Sequence, residues 1–404
     1  MSATRRRFLA QTAGQTAALG FAAGAPLPLL ASALLAKTER ILIVIELQGG
    51  NDGLNTVVPA SDPLYRRFRP ELAVRPTDVL PIADGMGFHP ALNGFAKLLE
   101  AGQLAVVQGV GYPEPNRSHF ESMDIWHTCR PRGDSRADGW LGRWLEKSPS
   151  RGTDPQGLHL GADKLPLALM SRRVRVPSVN SLEEFRLRGI EDREFRDAVQ
   201  SLAETPRTDG DLLSFVQSST SAALSASERL AEAAKAGNSK VVWPQSPLAG
   251  RLQMMSRLIR SGLDTSLYYT TLGGFDTHAQ QPDAHRSLLR QVGDAVQALL
   301  AELEESGDSS RVTVLAFSEF GRRVAENASA GTDHGTAGPV FLAGAAVKPG
   351  LHGPAPDLSS LRDGDLQFTV DFRTVYAAVL KHWLAADPAA ILPGTYTPID
   401  VFRG

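Results

Sequence analysis

Four stretches of this 404-residue chain carry side chains able to hold a cation or move a proton. The densest is Val312 to Gly335, VTVLAFSEFGRRVAENASAGTDHG, where an apolar run ends in Ser318-Glu319-Phe320-Gly321-Arg322-Arg323 and a glycine-flanked Asp333-His334 follows. A second, Phe275 to Gln281, offers Asp276 and His278, with His285 a short way into the next element. The turn Gly49 to Asn55 offers Asp52 between asparagines, and Asn116 to Ser122 offers Ser118. Aspartate, glutamate and imidazole are oxygen and nitrogen donors suited to Zn²⁺, Mn²⁺, Mg²⁺ or Ca²⁺. Two such ions about 4 Å apart could clamp the attacking and leaving oxygens of a phosphoryl or sulfuryl transfer.

Each stretch also has a plain reading. A Gly/Asn/Asp turn is common without any function. Ser118 reads equally as an N-cap, with Glu121 at capping-box spacing, or as a hydroxyl activated by a helix N-terminus. Arg322 and Arg323 could grip an anionic group or simply be solvated, and His285 taken alone reads as a surface histidine.

The elements that must position these groups alternate between strand and helix. Ile41 to Leu47 (ILIVIEL), Leu104 to Val110, Thr265 to Leu272, Val312 to Phe317 and Pro339 to Ala343 read as strands, most of them apolar enough to be buried on both faces. Helices are expected over Pro90 to Ala101, from about Pro115, over Pro247 to Gly262 with Ser246 as N-cap, from about Pro282 to Leu303, and over Thr369 to Ala385. That order predicts an α/β fold, a doubly wound and mostly parallel sheet flanked by helices, in which ligands sit beyond the carboxyl ends of strands. The polar stretch of about 130–240 reads as a helical insertion, with helices over Ser181 to Leu202 and Asp209 to Ala236.

Length allows a large core, and a formal net charge of −2 gives no reason to propose nucleic acid as a partner. A single cysteine, Cys129, excludes an internal disulfide and a cysteine-rich metal site. Thr4-Arg5-Arg6-Arg7-Phe8-Leu9 is a twin-arginine pattern ahead of an Ala/Gly-rich segment, and Ala31-Ser32-Ala33 suits a signal peptidase. Residues 1–36 are therefore expected to be a cleaved export signal, leaving 37–404 as one domain in the periplasm or outside the cell. No stable membrane span is expected after cleavage.

The motifs FDTHAQQ, SEFGRR and GTDHG, with GGNDGLN, NRSHFES and the leader, resemble the exported bacterial family catalogued as domain of unknown function 1501. That family is in turn similar to the alkaline phosphatase and sulfatase superfamily. The resemblance implies an alkaline phosphatase-like fold and a two-metal edge. Asp52 and Glu319 would serve one metal, Asp276, His278 and His334 the other, with Ser118 in the nucleophile's place. Glu319-Phe320 stands where the superfamily usually has an Asp-His pair, which points to a weakened or absent first metal. The expected activity is metal-dependent hydrolysis of a small anionic phosphate or sulfate ester. The competing expectation is an exported binding or scaffold protein that keeps the fold without the chemistry.

Overall fold

The computed structural model describes residues 40–149, 154–180 and 239–404, together with Asp197 and Ser201. The expected leader and the two helices expected between Ser181 and Ala236 lie outside these residues, Asp197 and Ser201 excepted. No helix among the described residues is long and apolar enough to cross a membrane.

All seven residues of Ile41–Leu47 (β1) are buried, and their alternation decides the layering. Ile41, Ile43, Ile45 and Leu47 belong to one core, while Leu42 and Val44 belong to another on the opposite face of the sheet. The sheet has nine strands. After β1 these are Leu104–Gly111 (β2), Gly157–Leu160 (β3), Ser178–Val179 (β4), Leu267–Leu272 (β5), Val312–Phe317 (β6), Gly338–Ala343 (β7), Gly350–His352 (β8) and Val370–Asp371 (β9). Their order is β8-β2-β7-β6-β1-β5-β3-β4, with β9 paired to β2. Every pairing is parallel except those of β7, which runs antiparallel to both β2 and β6.

Helices Asn93–Glu100 (α1), Pro247–Arg260 and Gln281–Glu305 contribute to the first core. Helices His119–Thr128 (α2) and Phe372–Ala378, with Trp140–Lys147 between them in sequence, contribute to the second. Helices on both faces explain why the central strands read as unbroken apolar runs. The described part of the expected insertion is not purely helical: it supplies a helix and the strands β3 and β4. These strands of 4 and 2 residues are too short to stand out as apolar runs. The helix Pro247–Arg260 starts as its sequence requires, with the Ser246 hydroxyl accepting from the Ala249 N–H at 3.2 Å and proline in its first turn. Ser246→Ala should therefore cost about 1 kcal/mol of unfolding free energy, read from the urea midpoint at constant slope.

The sheet order brings the motif loops to one rim. Strands β6, β1 and β5 are adjacent and parallel, so the loops bearing Glu319, Asp52 and Asp276 all leave at their carboxyl ends. Because β7 is antiparallel, its beginning lies at that rim as well, and His334 sits just before it. Strand β2, antiparallel to β7, also ends there and leads into α2.

Candidate metal centre

Asp276 Oδ1 is the point on which the cluster converges. Around it lie His278 Nε2 at 3.0 Å, His334 Nε2 at 3.1 Å, His119 Nε2 at 3.4 Å and Arg322 Nη2 at 2.6 Å. The two imidazole nitrogens of His278 and His334 are themselves only 2.9 Å apart. Candidate ligand atoms of His119, Asp276 and His334 all lie within 4.8 Å of one another.

Each of the three imidazoles is tethered through its other nitrogen. His119 Nδ1 faces Glu319 Oε1 at 2.8 Å, His334 Nδ1 faces the Arg117 carbonyl at 2.7 Å, and His278 Nδ1 faces Asp333 Oδ1 at 3.1 Å. Carbonyl and carboxylate oxygens carry no hydrogen, so each Nδ1–H must donate, and in the neutral ring each Nε2 keeps a bare lone pair. His119 Nε2 is buried without a hydrogen-bond partner among the described residues. Two bare lone pairs at 2.9 Å repel unless a proton or cation lies between them. Outward Nδ1 tethers with inward Nε2 atoms are the arrangement by which proteins orient metal-binding imidazoles.

The electrostatics follow from these contacts. The hydrogen bond to Glu319 raises the His119 pKa, against the opposing effect of burial. Burial would raise Asp276, yet the hydrogen-bonded Arg322 guanidinium holds it down at about 2. Asp333 is lowered by hydrogen bonds from Asn327 and His278. The carboxylates of Asp276 and Asp333 are thus ionised across the physiological range, as ligands or tethers must be.

Backbone geometry sets the precision. Gly49 has φ +117°, and a Cβ there would fall 2.3 Å from the Asp276 N atom. Only glycine lets the β1 loop press against the Asp276 loop in this way. Arg322 then stitches the loops together. It is buried and donates to the carbonyls of Gly50 at 2.8 Å, Thr332 at 2.8 Å and Phe275 at 2.9 Å, to that of Gly49, and to Asp276. Its hydrogens are spent on protein acceptors rather than held out toward an anion. Arg323 likewise pairs with Asp365 at 3.2 Å.

Asp276, His278 and His334 are brought together, while the other expected groups are placed differently. Glu319 lies behind His119, its Oε1 also accepting from the Gly49 N–H at 2.9 Å. Asp52 is buried in a separate network. Its oxygens meet Arg69 at 2.6 Å, the Gln281 amide at 2.5 Å and the Asn55 N–H at 3.3 Å. The Arg69 guanidinium therefore stands beside Asp52 as its cation, and Asp52 and Glu319 do not share a site. His285 is buried rather than at the surface, bonded to Asn51 Oδ1 at 2.9 Å.

Ser118 occupies the N-cap position of α2, next to the cluster in sequence, with its side chain exposed and making no capping bond. The capping-box alternative does not form, because Glu121 pairs with Arg136 at 2.7 Å. Phe320 packs its ring against His119 and His334 with centroids 4.9 and 5.0 Å away.

His119 is the functional candidate that sequence reasoning missed. Its partner Glu319 is 200 residues away, and only the closed sheet unites them. The available signal was an imidazole one residue beyond Ser118 inside the NRSHFES motif.

No curated protein matches the chain. Among solved structures it overlaps the C-terminal periplasmic domain of EcEptC from Escherichia coli in complex with Zn. That match has 9% identity, covers 76% of this chain and 73% of that one, and has a TM-score of 0.38. The PsFucS1 sulfatase from Pseudoalteromonas sp. matches at 10% identity over 93% of this chain and 78% of that one, with a TM-score of 0.40. An alkaline phosphatase superfamily protein from Vibrio parahaemolyticus matches at 9% identity over 79% and 63%, with a TM-score of 0.36. Overlaps of this depth assign no role to any residue here. The family model described as protein of unknown function (DUF1501) matches residues 105–382, more than half of the chain and spanning His119, Asp276, His278, Glu319 and His334, and the protein belongs to that family.

Proposed function

We propose that this protein is an exported divalent-metal-dependent hydrolase of phosphate or sulfate esters. The observation that carries the reading is the trio of tethered imidazoles, His119, His278 and His334, whose Nε2 atoms meet around Asp276. Zinc–nitrogen bonds of about 2.0–2.1 Å at tetrahedral angles put neighbouring ligand atoms roughly 3.3 Å apart, near the 2.9 Å between the Nε2 atoms of His278 and His334 and the 3.1 and 3.4 Å from His334 and His119 to Asp276. Three imidazoles favour Zn²⁺ over Mg²⁺ or Ca²⁺, which prefer all-oxygen surroundings. When bound, the ion supplies Lewis acidity to an ester oxygen and to water.

The chain's own groups have defined parts in this reading. His119 is the first residue of α2, so the N–H groups of His119, Phe120 and Glu121 have no intrahelical acceptor. They form a positive helix terminus beside the cluster, where an anionic ester group is favoured. Ser118 carries its hydroxyl at that terminus, in reach of the nucleophile's role. Arg322 holds Asp276 in register, and the arginines leave the anion to the helix terminus and the ion. The twin-arginine leader agrees with export after folding, the state in which a loaded site would travel.

Elemental analysis of the purified protein after mild dialysis tests the reading, together with a screen of phosphate and sulfate monoesters with added Zn²⁺ or Mn²⁺. About one equivalent of metal is expected in the intact protein. Ser118→Ala should keep that metal and lose turnover if the hydroxyl is the nucleophile, and keep both if water is. A protein free of metal in which His334→Ala changes nothing would refute the proposal.

A second reading draws on the donor count. His119, Asp276 and His334 group within 4.8 Å and His278 contacts the last two, so drawing all four onto one ion would close a tetrahedral site completely, as in structural sites. An exported binding protein would then hold metal and turn nothing over. If Arg322 keeps Asp276 to itself, the three imidazoles leave a position open and the hydrolase reading stands.

A further inference from the structure

Next to the metal cluster the surface opens into a cleft of about 550 Å³, within the usual range for small-molecule sites. The two are joined through Arg117, which lines the cleft while its carbonyl accepts from His334 Nδ1 at 2.7 Å. An ester whose anionic end lies at the cluster would therefore extend its alcohol portion into this cleft. We infer that the cleft receives a sugar, so that the substrate class is a phosphorylated or sulfated carbohydrate. The inference rests on the ester-hydrolase reading for its orientation, but the cleft's chemistry stands by itself.

That chemistry is mixed. Arg117 forms a close ion pair with Asp365, whose carboxylate also meets Arg323 at 3.2 Å. Arg362 on the strand Leu361–Arg362 is exposed, and its guanidinium has no hydrogen-bond or ion-pair partner among the described residues. The carboxylates of Glu114 and Asp363 also line the cleft and are equally unengaged. The guanidiniums of Arg117, Arg323 and Arg362 against the carboxylates of Asp365, Glu114 and Asp363 leave no positive excess, which argues against a second anionic group as the occupant.

The amides add both polarities. Asn116 spends its oxygen on the Ser118 N–H at 2.8 Å and keeps its NH₂, whereas Gln367 spends its NH₂ on Ser360 at 2.9 Å and keeps its oxygen. Tyr112, Leu366 and Phe368 line the same cleft, and the Tyr112 hydroxyl is already committed to Ser122 at 2.9 Å. Amide donors and acceptors beside apolar and aromatic side chains match a pyranose, whose hydroxyls both donate and accept while its C–H faces are apolar. On the same loop–helix junction Phe120 is 88% exposed, a large ring open to solvent one residue beyond His119.

The test compares metal-loaded full chain acting on glucose 6-phosphate and glucose 6-sulfate with the same protein acting on methyl phosphate and methyl sulfate. A kcat/KM at least roughly tenfold higher for the preferred sugar ester is expected, the size of one or two good polar contacts. Arg362→Ala should remove most of that advantage through KM and leave the methyl esters unchanged. Saturation-transfer NMR with methyl glucoside on chelator-treated protein provides an arm independent of turnover, with transfer expected in the native chain and lost in Arg362→Ala. Equal kcat/KM for sugar and methyl esters, or an equal loss for both in Arg362→Ala, overturns the sugar cleft while sparing the hydrolase. Transfer that depends on Arg362 with no ester hydrolysed supports the cleft and overturns the hydrolase. Neither turnover nor transfer overturns both.

Discussion

Alanine at position 119 is expected to empty the metal centre. His119 reaches the cluster from α2, whereas His278 and His334 arrive on two loops, so its loss leaves Asp276, His278 and His334 without the donor that α2 supplies. Losing an outer-shell partner typically costs roughly 10–100-fold in metal affinity, and losing a ligand itself should exceed roughly 100-fold. Glu319→Gln falls in the milder class: it keeps an oxygen facing His119 Nδ1 but removes the charge that raises the His119 pKa. The measurement is Zn²⁺ competition against a chromogenic chelator, with the order native, Glu319→Gln, His119→Ala from tightest to weakest. Since protons compete for the same nitrogens, and the Glu319 hydrogen bond favours the protonated form of His119, affinity should weaken as pH falls. Equal affinity in native and His119→Ala protein would remove His119 from the centre.

Acid should unfold this protein well before its carboxylates titrate. Burial lowers His89, His159 and His285 to about 4 each. All three are nearly inaccessible, and His89 uses Nδ1 as an acceptor for the Ala91 N–H at 3.0 Å, a bond that protonation abolishes. In the unfolded chain these rings bind protons near pH 6.5, so between 6.5 and 4 the unfolded state holds protons that the folded state refuses. Stability is then fully present above about 6.5 and lost as pH falls toward 4, by at most about 3 kcal/mol per imidazole. His119, whose pKa is raised, acts in the opposite sense, favouring the folded state at low pH, but it is partly exposed and its share is smaller. Urea unfolding in chelator at pH 7.5 and pH 5 should reveal a loss of several kcal/mol, and His285→Asn should flatten the slope by up to one proton. A stability unchanged between those pH values would contradict the buried, neutral state of these rings.

Much of the frame was legible because long apolar strands and capped helices are local signals. Ile41–Leu47 and Val312–Phe317 declared themselves as double-faced strands, and Ser246 and the early proline marked a helix start. The Gly-rich loops after strand ends pointed to the right rim, since the pattern of alternating strands and helices fixes where such loops emerge. Partner choice was not legible. Nothing near Asp52 announces that Arg69, 17 residues on, will take its carboxylate. Nothing near Glu319 says that it will hold an imidazole instead of an ion. Arg322 looked like an anion clamp because its five donors are visible in sequence and their acceptors, mostly loop carbonyls, are not.

Helix α2 is fastened to the sheet at both ends. At its start His119 meets Glu319 beyond β6, and near its finish His127 Nε2 meets the buried Glu46 of β1 at 2.8 Å. The donors grouped at the rim are contributed by segments as far apart as residues 119 and 334, and none of them faces another until β5, β6 and β7 have all taken their places. Assembly of the centre is consequently an all-or-nothing event late in folding, with no partial pocket on a shortened or half-made chain. Cation capture must then follow closure of the sheet, and removing the segment around His334 should abolish binding as completely as removing α2.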